Sequence, residues 1–345
     1  MSIGSPLLAV YSFLQNEGLL ADVHSVADIG SIEYEIKLAE HDRVFEDFFK
    51  RANAPVPSGR NPETGLYKGG AREFYENLGY EYVAFDIDGR FGSRVFDLNH
   101  DQVPAELIRS SDLTANLGTI EHVFNQVNCF RVVHDLTMRG GLMIHLSPVS
   151  NSIYHGLFQY NPHLFFALGE YNDYEMLGQW ASTVDPSFWL PVTAGKKFLN
   201  NSAVMITLMR KRGESDFVIP LQIDTPMEPE RGALDRYNVN SFAKHIPGPP
   251  KYDMGFKVDF TTLKSRQLTM EEILAVDSLR TLAEGGPDAP RAELRNMKAE
   301  LRNMKAQLRM MKSELRRLRT PWPVRAARRG RRWLAGMMGR AASPS

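Results

Sequence analysis

The sequence predicts an α/β fold: a doubly wound, mostly parallel sheet with a terminal antiparallel hairpin. Three observations carry this. Short apolar runs alternate with longer amphipathic stretches over the first two-thirds of the 345-residue chain, the pattern of βα units around a parallel sheet. Acidic residues stand at the ends of the first two runs, in Val26-Ala27-Asp28-Ile29-Gly30 and Tyr82-Val83-Ala84-Phe85-Asp86, where open α/β sheets receive ligands. The last two runs are separated by Lys211-Arg212-Gly213-Glu214-Ser215, which suits a hairpin turn.

In chain order, the expected strands are Ser25–Ile29, Tyr82–Asp86, Leu113–Leu117 and Leu142–Leu146, then the pair Ala203–Arg210 and Phe217–Ile223. Helices are expected over Ser5–Asn16, Ala71–Leu78 and Val123–Thr137. The segment from Glu35 to Gly70 is long for a βα connection; a lid and a simple insertion are equally compatible with it.

A hydrophobic content of 43% supports one sizeable domain with appendages. The one cysteine, Cys129, excludes an internal disulfide and a multi-cysteine zinc site. No basic residue precedes the first apolar stretch, so the N-terminus lacks the form of a signal peptide. No apolar run reaches the roughly 18 residues of a membrane span. A cytoplasmic protein is expected.

The zero net charge hides a polarised chain. Residues 291–345 hold 16 Lys and Arg against 3 Glu, whereas residues 1–290 carry 25 basic and 38 acidic residues. Such asymmetry marks a body and a tail with different tasks. The expected division is a domain over 1–283 with its core at 20–225, a breaker-rich linker at 284–290, a coiled coil at 291–319 and a basic tail at 320–345. The motif AELRNMK occurs at 292–298 and again at 299–305, with variants following at 306–312 and 313–319. Leu294, Met297, Leu301, Met304, Leu308, Met311, Leu315 and Leu318 form an uninterrupted heptad seam, so a homo-oligomer is expected. From Leu315 to Ser345 there are nine Arg and no acid, with Trp322 and Trp333 interspersed. That composition suits an anionic membrane surface, with nucleic acid the weaker alternative and a partnerless basic tail as plain a reading as the membrane.

The chemistry-bearing motifs lie before the linker. Gly30-Ser31 follows the first strand directly, and a glycine there lets backbone pass close to a ligand. Asp28 can orient that loop or receive an amino group. Asp86, with Asp88 second, is placed to accept hydrogen bonds from two ribose hydroxyls. Phe96-Asp97-Leu98-Asn99 comes next, then Asn116-Leu117-Gly118-Thr119-Ile120-Glu121-His122-Val123, then His134 to Gly141 with its Gly-Gly turn.

This order of pieces resembles the class I S-adenosylmethionine-dependent methyltransferases over residues 20–225. Asp28-Ile29-Gly30-Ser31 looks like their first motif in its Gly-Ser variant; Ile32 and Tyr34 stand where further glycines would be. The resemblance implies a Rossmann-like fold and S-adenosylmethionine as cofactor. It implies cofactor-binding roles for Asp28, Gly30, Ser31, Asp86, Asp97 beside the adenine, Asn116 and Glu121. It also makes His122 a candidate general base for a hydroxyl acceptor, with an orienting or structural histidine as the alternative. The aromatic and polar stretch at 148–191, with Tyr154 to Pro162 and Tyr171 to Tyr174, suits an acceptor such as a sugar or a small molecule; a helical cap on the sheet is the other reading. His122, His134, His145 and His155 share one stretch without close ligand spacing, so no metal is expected. The expected function is methyl transfer to a hydroxyl or similar group. The alternative is a degenerate domain serving as a coiled-coil scaffold. A nicotinamide oxidoreductase is disfavoured by the missing spaced glycines.

Overall fold

The computed structural model describes residues 2–150, 152, 154–182, 187–192, 203–221, 250–269 and 271–273. The expected linker, coiled coil and basic tail lie outside these. Among the described residues no helix is long and apolar enough to cross a membrane.

The strands are β1 (Ser2–Ile3), β2 (Ser25–Ile29), β3 (Glu33–Glu35), β4 (Lys68–Gly70), β5 (Glu81–Asp86), β6 (Arg94–Val95), β7 (Ser111–Leu117), β8 (Thr137–Ser150), β9 (Tyr174–Ser182), β10 (Phe188–Pro191), β11 (Ala203–Lys211), β12 (Phe256–Asp259) and β13 (Lys264–Gln267). The α-helices are α1 (Ser5–Asn16), α2 (Asp42–Arg51), α3 (Ala71–Asn77), α4 (Gln126–Leu136) and α5 (His163–Asn172). Ten strands form one sheet in the order β13-β12-β10-β9-β11-β8-β7-β2-β5-β6. The half from β6 to β8 is parallel, and from β8 outward every pairing is antiparallel.

Both faces are covered, as a parallel sheet requires. One face carries α1 and α3, through Leu7, Leu8, Phe13, Phe74 and Tyr75. The other carries α4 and α5, through Phe130, Val133, Phe165 and Leu168. Helix α1 has a proline in its first turn, where no intrahelical donor is lost. Its residues from Leu7 to Leu14 are all buried, as expected of a helix apolar on every side. Phe13 stacks on Phe256 and meets the edge of Trp180, whose Nε1 donates to the Met254 carbonyl at 3.0 Å.

The expected strands at 25–29, 82–86, 113–117 and 142–146 all form, and so do the three expected helices, with shifted ends. The terminal hairpin is corrected. Ala203–Lys211 is a strand, but its outer partner is β9, which precedes it in the chain, and not residues 217–223. Helix α5 ends in the left-handed Asp173, which turns the chain into β9 along the free edge of β11. Residues 217–221 form no strand. Val218 instead exchanges two hydrogen bonds with the Asn172 side chain, at 2.7 and 2.9 Å. Of the segment's apolar residues Phe217 packs on the core, while Ile219 and Leu221 are exposed; residues 222 and 223 lie outside the described set.

The segment 35–70 is a folded insertion. It contributes α2, whose Phe45, Phe48 and Phe49 are fully buried, and β4, which pairs with β3 in a small sheet with β1. Ile32 and Tyr34 enter this core.

Candidate functional site

The chain runs from β2 outward to β5 and β6, then returns to pair β7 on the other side of β2. The order therefore reverses between β2 and β7. In open α/β sheets, ligands bind beyond the strand carboxyl ends at such a switch point. The loops there are 30–32 after β2, 87–93 after β5 and 118–125 after β7.

Gly30 has φ of 116°, a region open to glycine and strained for other residues. A Cβ built on it would lie 2.1 Å from the Thr119 hydroxyl. What approaches this glycine is thus the loop after β7, and it joins the two walls of the switch point. Ser31 ties the same loop to the end of β5. Its N–H donates to Asp86 Oδ2 at 2.7 Å, and its hydroxyl donates to Asp88 and meets Ser93 Oγ at 2.8 Å.

Asp86 is half-buried and its Oδ1 accepts from the Asp88 N–H at 3.2 Å. A carboxylate has about four lone-pair sites, so acceptor capacity remains for ligand hydroxyls. Asn116 is the last residue but one of β7 and pairs with Ile29 at the end of β2. Its Oδ1 accepts from the N–H groups of Thr119 and Ile120 at 3.1 and 3.2 Å, while its buried Nδ2 has no hydrogen-bond partner. Asp97 organises a turn, accepting from Asn99 N–H at 2.8 Å and pairing with His100 at 2.9 Å. The His100 hydrogen bond holds its carboxyl below the usual range.

Asp28 is placed differently from its expected role. Val26 belongs to the core face of α1, whereas Ala27 and Ile29 belong to the opposite face. Alternation therefore sends Asp28 to the α1 side. It is fully buried, with Oδ2 accepting from Tyr82 Oη at 2.8 Å and Oδ1 without a hydrogen bond. Burial pushes its pKa up to about 7. Buried among tyrosines, this carboxyl supports the strand from beneath and does not reach a ligand's amino group.

After β7, Ile120–His122 forms one 3₁₀ turn. The Glu121 carbonyl accepts from Leu157 N–H at 2.7 Å and Phe158 N–H at 3.2 Å. Gly156, at φ of 72°, allows this approach, since a Cβ there would meet the Glu121 carbonyl at 2.9 Å. This folds residues 155–158 over the turn and brings His155 Nε2 to 3.5 Å from Glu121 Oε1. His122 and His155 stand edge to face, with ring centroids 5.0 Å apart. Burial raises the pKa of Glu121; burial and the neighbouring His155 lower that of His122.

His155 is the site residue that sequence spacing did not group with Glu121 and His122; Gly156 is the only local signal that the chain turns tightly there. His134 and His145 are elsewhere and structural. His134 pairs with Tyr174 Oη and the Ser215 carbonyl, and burial lowers it to about 4. His145 is buried against Phe130 and Phe165 and lowered to about 3. Of the aromatic stretch, Tyr154 and Leu157 are exposed. Tyr160 is buried and bonded to Gln126, and Tyr171, Asn172 and Tyr174 are buried or bonded within the body. Asp173 serves as the helix terminus. Residues 171–174 are therefore framework and not acceptor contacts.

Fold and site together define the class: a doubly wound α/β protein whose loops after β2, β5 and β7 meet at a switch point, with an acid at the end of β5 and a Glu-His-His group at the turn after β7. No family model matches the sequence, and no curated protein matches it. Among solved structures, the chain is similar to a 1,6-didemethyltoxoflavin-N1-methyltransferase of Burkholderia thailandensis with bound S-adenosylhomocysteine, at 12% identity and a TM-score of 0.34, covering 60% of this chain and 79% of that one. An O-methyltransferase from a trans-AT polyketide synthase multienzyme of Brevibacillus brevis, also with S-adenosylhomocysteine, is similar at 10% identity and a TM-score of 0.35, covering 61% and 73%. A putative methyltransferase of Bacillus halodurans is similar at 9% identity and a TM-score of 0.33, covering 59% and 99%.

Proposed function

We propose that this chain transfers a methyl group from S-adenosylmethionine to a hydroxyl or similar group of a small molecule or glycan. The observation that carries the reading is Asp86. It sits at the carboxyl end of β5, beside the switch point, with acceptor sites left after binding two backbone N–H groups. Two neighbouring ribose hydroxyls are the donors such an acid suits. The buried, unpartnered Nδ2 of Asn116 is a further donor near the switch point. Gly30 and Ser31 hold the floor rigid, and Asp97 faces the adenine end in the motif resemblance.

The cofactor supplies an already activated methyl group, so the protein's work is alignment and exclusion of water. A hydroxyl acceptor must also lose a proton. His122, His155 and Glu121 are the groups that can manage it; burial and the neighbouring His155 lower the pKa of His122, which favours its neutral, proton-accepting form. Exposed Phe124, Tyr154 and Leu157 neighbour this group in sequence and offer apolar contact to an acceptor.

Titration calorimetry with S-adenosylmethionine and S-adenosylhomocysteine tests the reading; micromolar binding of either is expected. Asp86→Ala should weaken it several-fold or more, because charge-assisted hydrogen bonds are lost. Unchanged affinity in that variant would refute the ribose role. No binding by a folded protein would favour the scaffold alternative.

The heptads at 291–319 would make the chain a homo-oligomer, and the basic tail would hold it at an anionic membrane. Deleting residues 291–345 should then lower the number of subunits measured by light scattering, without loss of the body's far-ultraviolet circular dichroism. The same subunit number in both forms would remove the coiled-coil proposal.

A further inference from the structure

We infer that Glu121, His122 and His155 form a binding site for one divalent transition-metal ion. One ligand atom from each lies within 4.8 Å of the others. Glu121 and His155 are already 3.5 Å apart, close to the roughly 3.3 Å that separates neighbouring ligands around an ion with bonds of about 2.0–2.1 Å. The third ligand, His122, is exposed, so its side chain is free to adjust.

The second observation is independent of this proximity. The Glu121 side chain is 0% exposed, and neither carboxylate oxygen makes a hydrogen bond. Buried carboxylates are ordinarily paired or hydrogen-bonded, because burying either the charge or the bare polar group is costly. Among the described residues, the imidazoles of His155 and His122 lie beside it. A cation bound by all three would neutralise the buried charge and take one of its oxygens as a ligand. Two imidazoles and one carboxylate suit zinc, iron(II) or cobalt(II) more than magnesium or calcium, which prefer all-oxygen shells. Three protein ligands with two of them exposed leave coordination positions open to solvent or to an acceptor.

The use of such an ion rests on the proposed methyl transfer. An acceptor hydroxyl bound at an open position would have its pKa lowered. Its proton would pass to solvent, its oxygen would take the methyl group, and the cofactor would leave as the neutral thioether. The site itself does not depend on that reading.

The test is a titration of full-length, tag-free, chelator-treated protein with Zn²⁺ by calorimetry and with Co²⁺ by visible absorption. One ion per chain should bind at micromolar or lower concentration, and Co²⁺ should give d–d bands of a site with four or five ligands. His155→Ala, which removes an exposed side chain, should weaken binding by at least about tenfold. Glu121→Gln should do so as well, with folding of each variant checked by circular dichroism. Absence of binding, or binding unchanged in His155→Ala, would overturn the site. S-adenosylmethionine titrated into the metal-free protein reads the methyltransferase proposal separately. Metal binding without cofactor binding would leave the site standing and remove only its proposed use.

Discussion

Gly30→Ala is expected to destabilise the protein by about 2–5 kcal/mol, from backbone strain together with overpacking. Two costs combine. The residue has φ of 116°, a conformation L side chains rarely adopt. The new methyl would also stand 2.1 Å from Thr119 Oγ1 and 3.1 Å from Thr119 Cβ. Relief of the clash moves the loop after β7 away from the loop after β2, whose Ser31 N–H holds Asp86. Loss of cofactor affinity should therefore accompany the loss of stability. Chemical denaturation of Gly30→Ala and of Gly30→Ala with Thr119→Ala separates the costs. The second substitution removes the hydroxyl contact and leaves the φ strain, so rescue should be partial. Full stability in the single variant would show that the loops can part freely.

Asp28 should make stability depend strongly on pH. Its carboxyl titrates near 7 in the fold because burial disfavours the charge, with the Tyr82 hydrogen bond acting in the opposite sense. In the unfolded chain it titrates near about 3.9. Between about pH 4 and pH 7 the folded protein holds a proton that the unfolded chain has released. The associated stability is fully present below about pH 4 and is lost as pH rises through about 7. Three units correspond to about 4 kcal/mol. Asp28→Asn keeps an acceptor for Tyr82 and cannot ionise. Its stability relative to the unsubstituted protein should rise by on the order of 4 kcal/mol between pH 4 and pH 8. His134 and His145 act oppositely, since their lowered pKa values cost stability as pH falls below about 6.5. They are common to both proteins and cancel in the comparison. An equal difference at both pH values would show that Asp28 ionises as easily in the fold as outside it.

Asp28 and His155 show where the sequence stopped being legible. The run Val26-Ala27-Asp28-Ile29 reads as a strand from its residue types alone. Because both faces of the central sheet are buried, alternation carries no polar-out signal to say which face Asp28 joins. The register of β2 between β5 and β7 makes that choice, and sends it to the tyrosines. The hairpin at 203–223 failed for a related reason. A local turn signal competed with a long-range edge, and β9 filled the edge of β11 first in chain order.

The sequence by itself determined the four central parallel strands, β2, β5, β7 and β8, because each holds a short apolar run; the edge strand β6, short and exposed, carried no such signal. It also placed Asp86 at a strand end, since a strand's last residue follows once its apolar run is known. The tertiary structure alone decided that Thr119 would lie against Gly30, and that His155 would close over Glu121 and His122. Both contacts join residues far apart in the chain, and the second is held by backbone hydrogen bonds from Leu157 and Phe158 to the Glu121 carbonyl. Local propensity and periodicity report only on neighbours along the chain, and chemistry that depends on such closure becomes visible only when the loops have met.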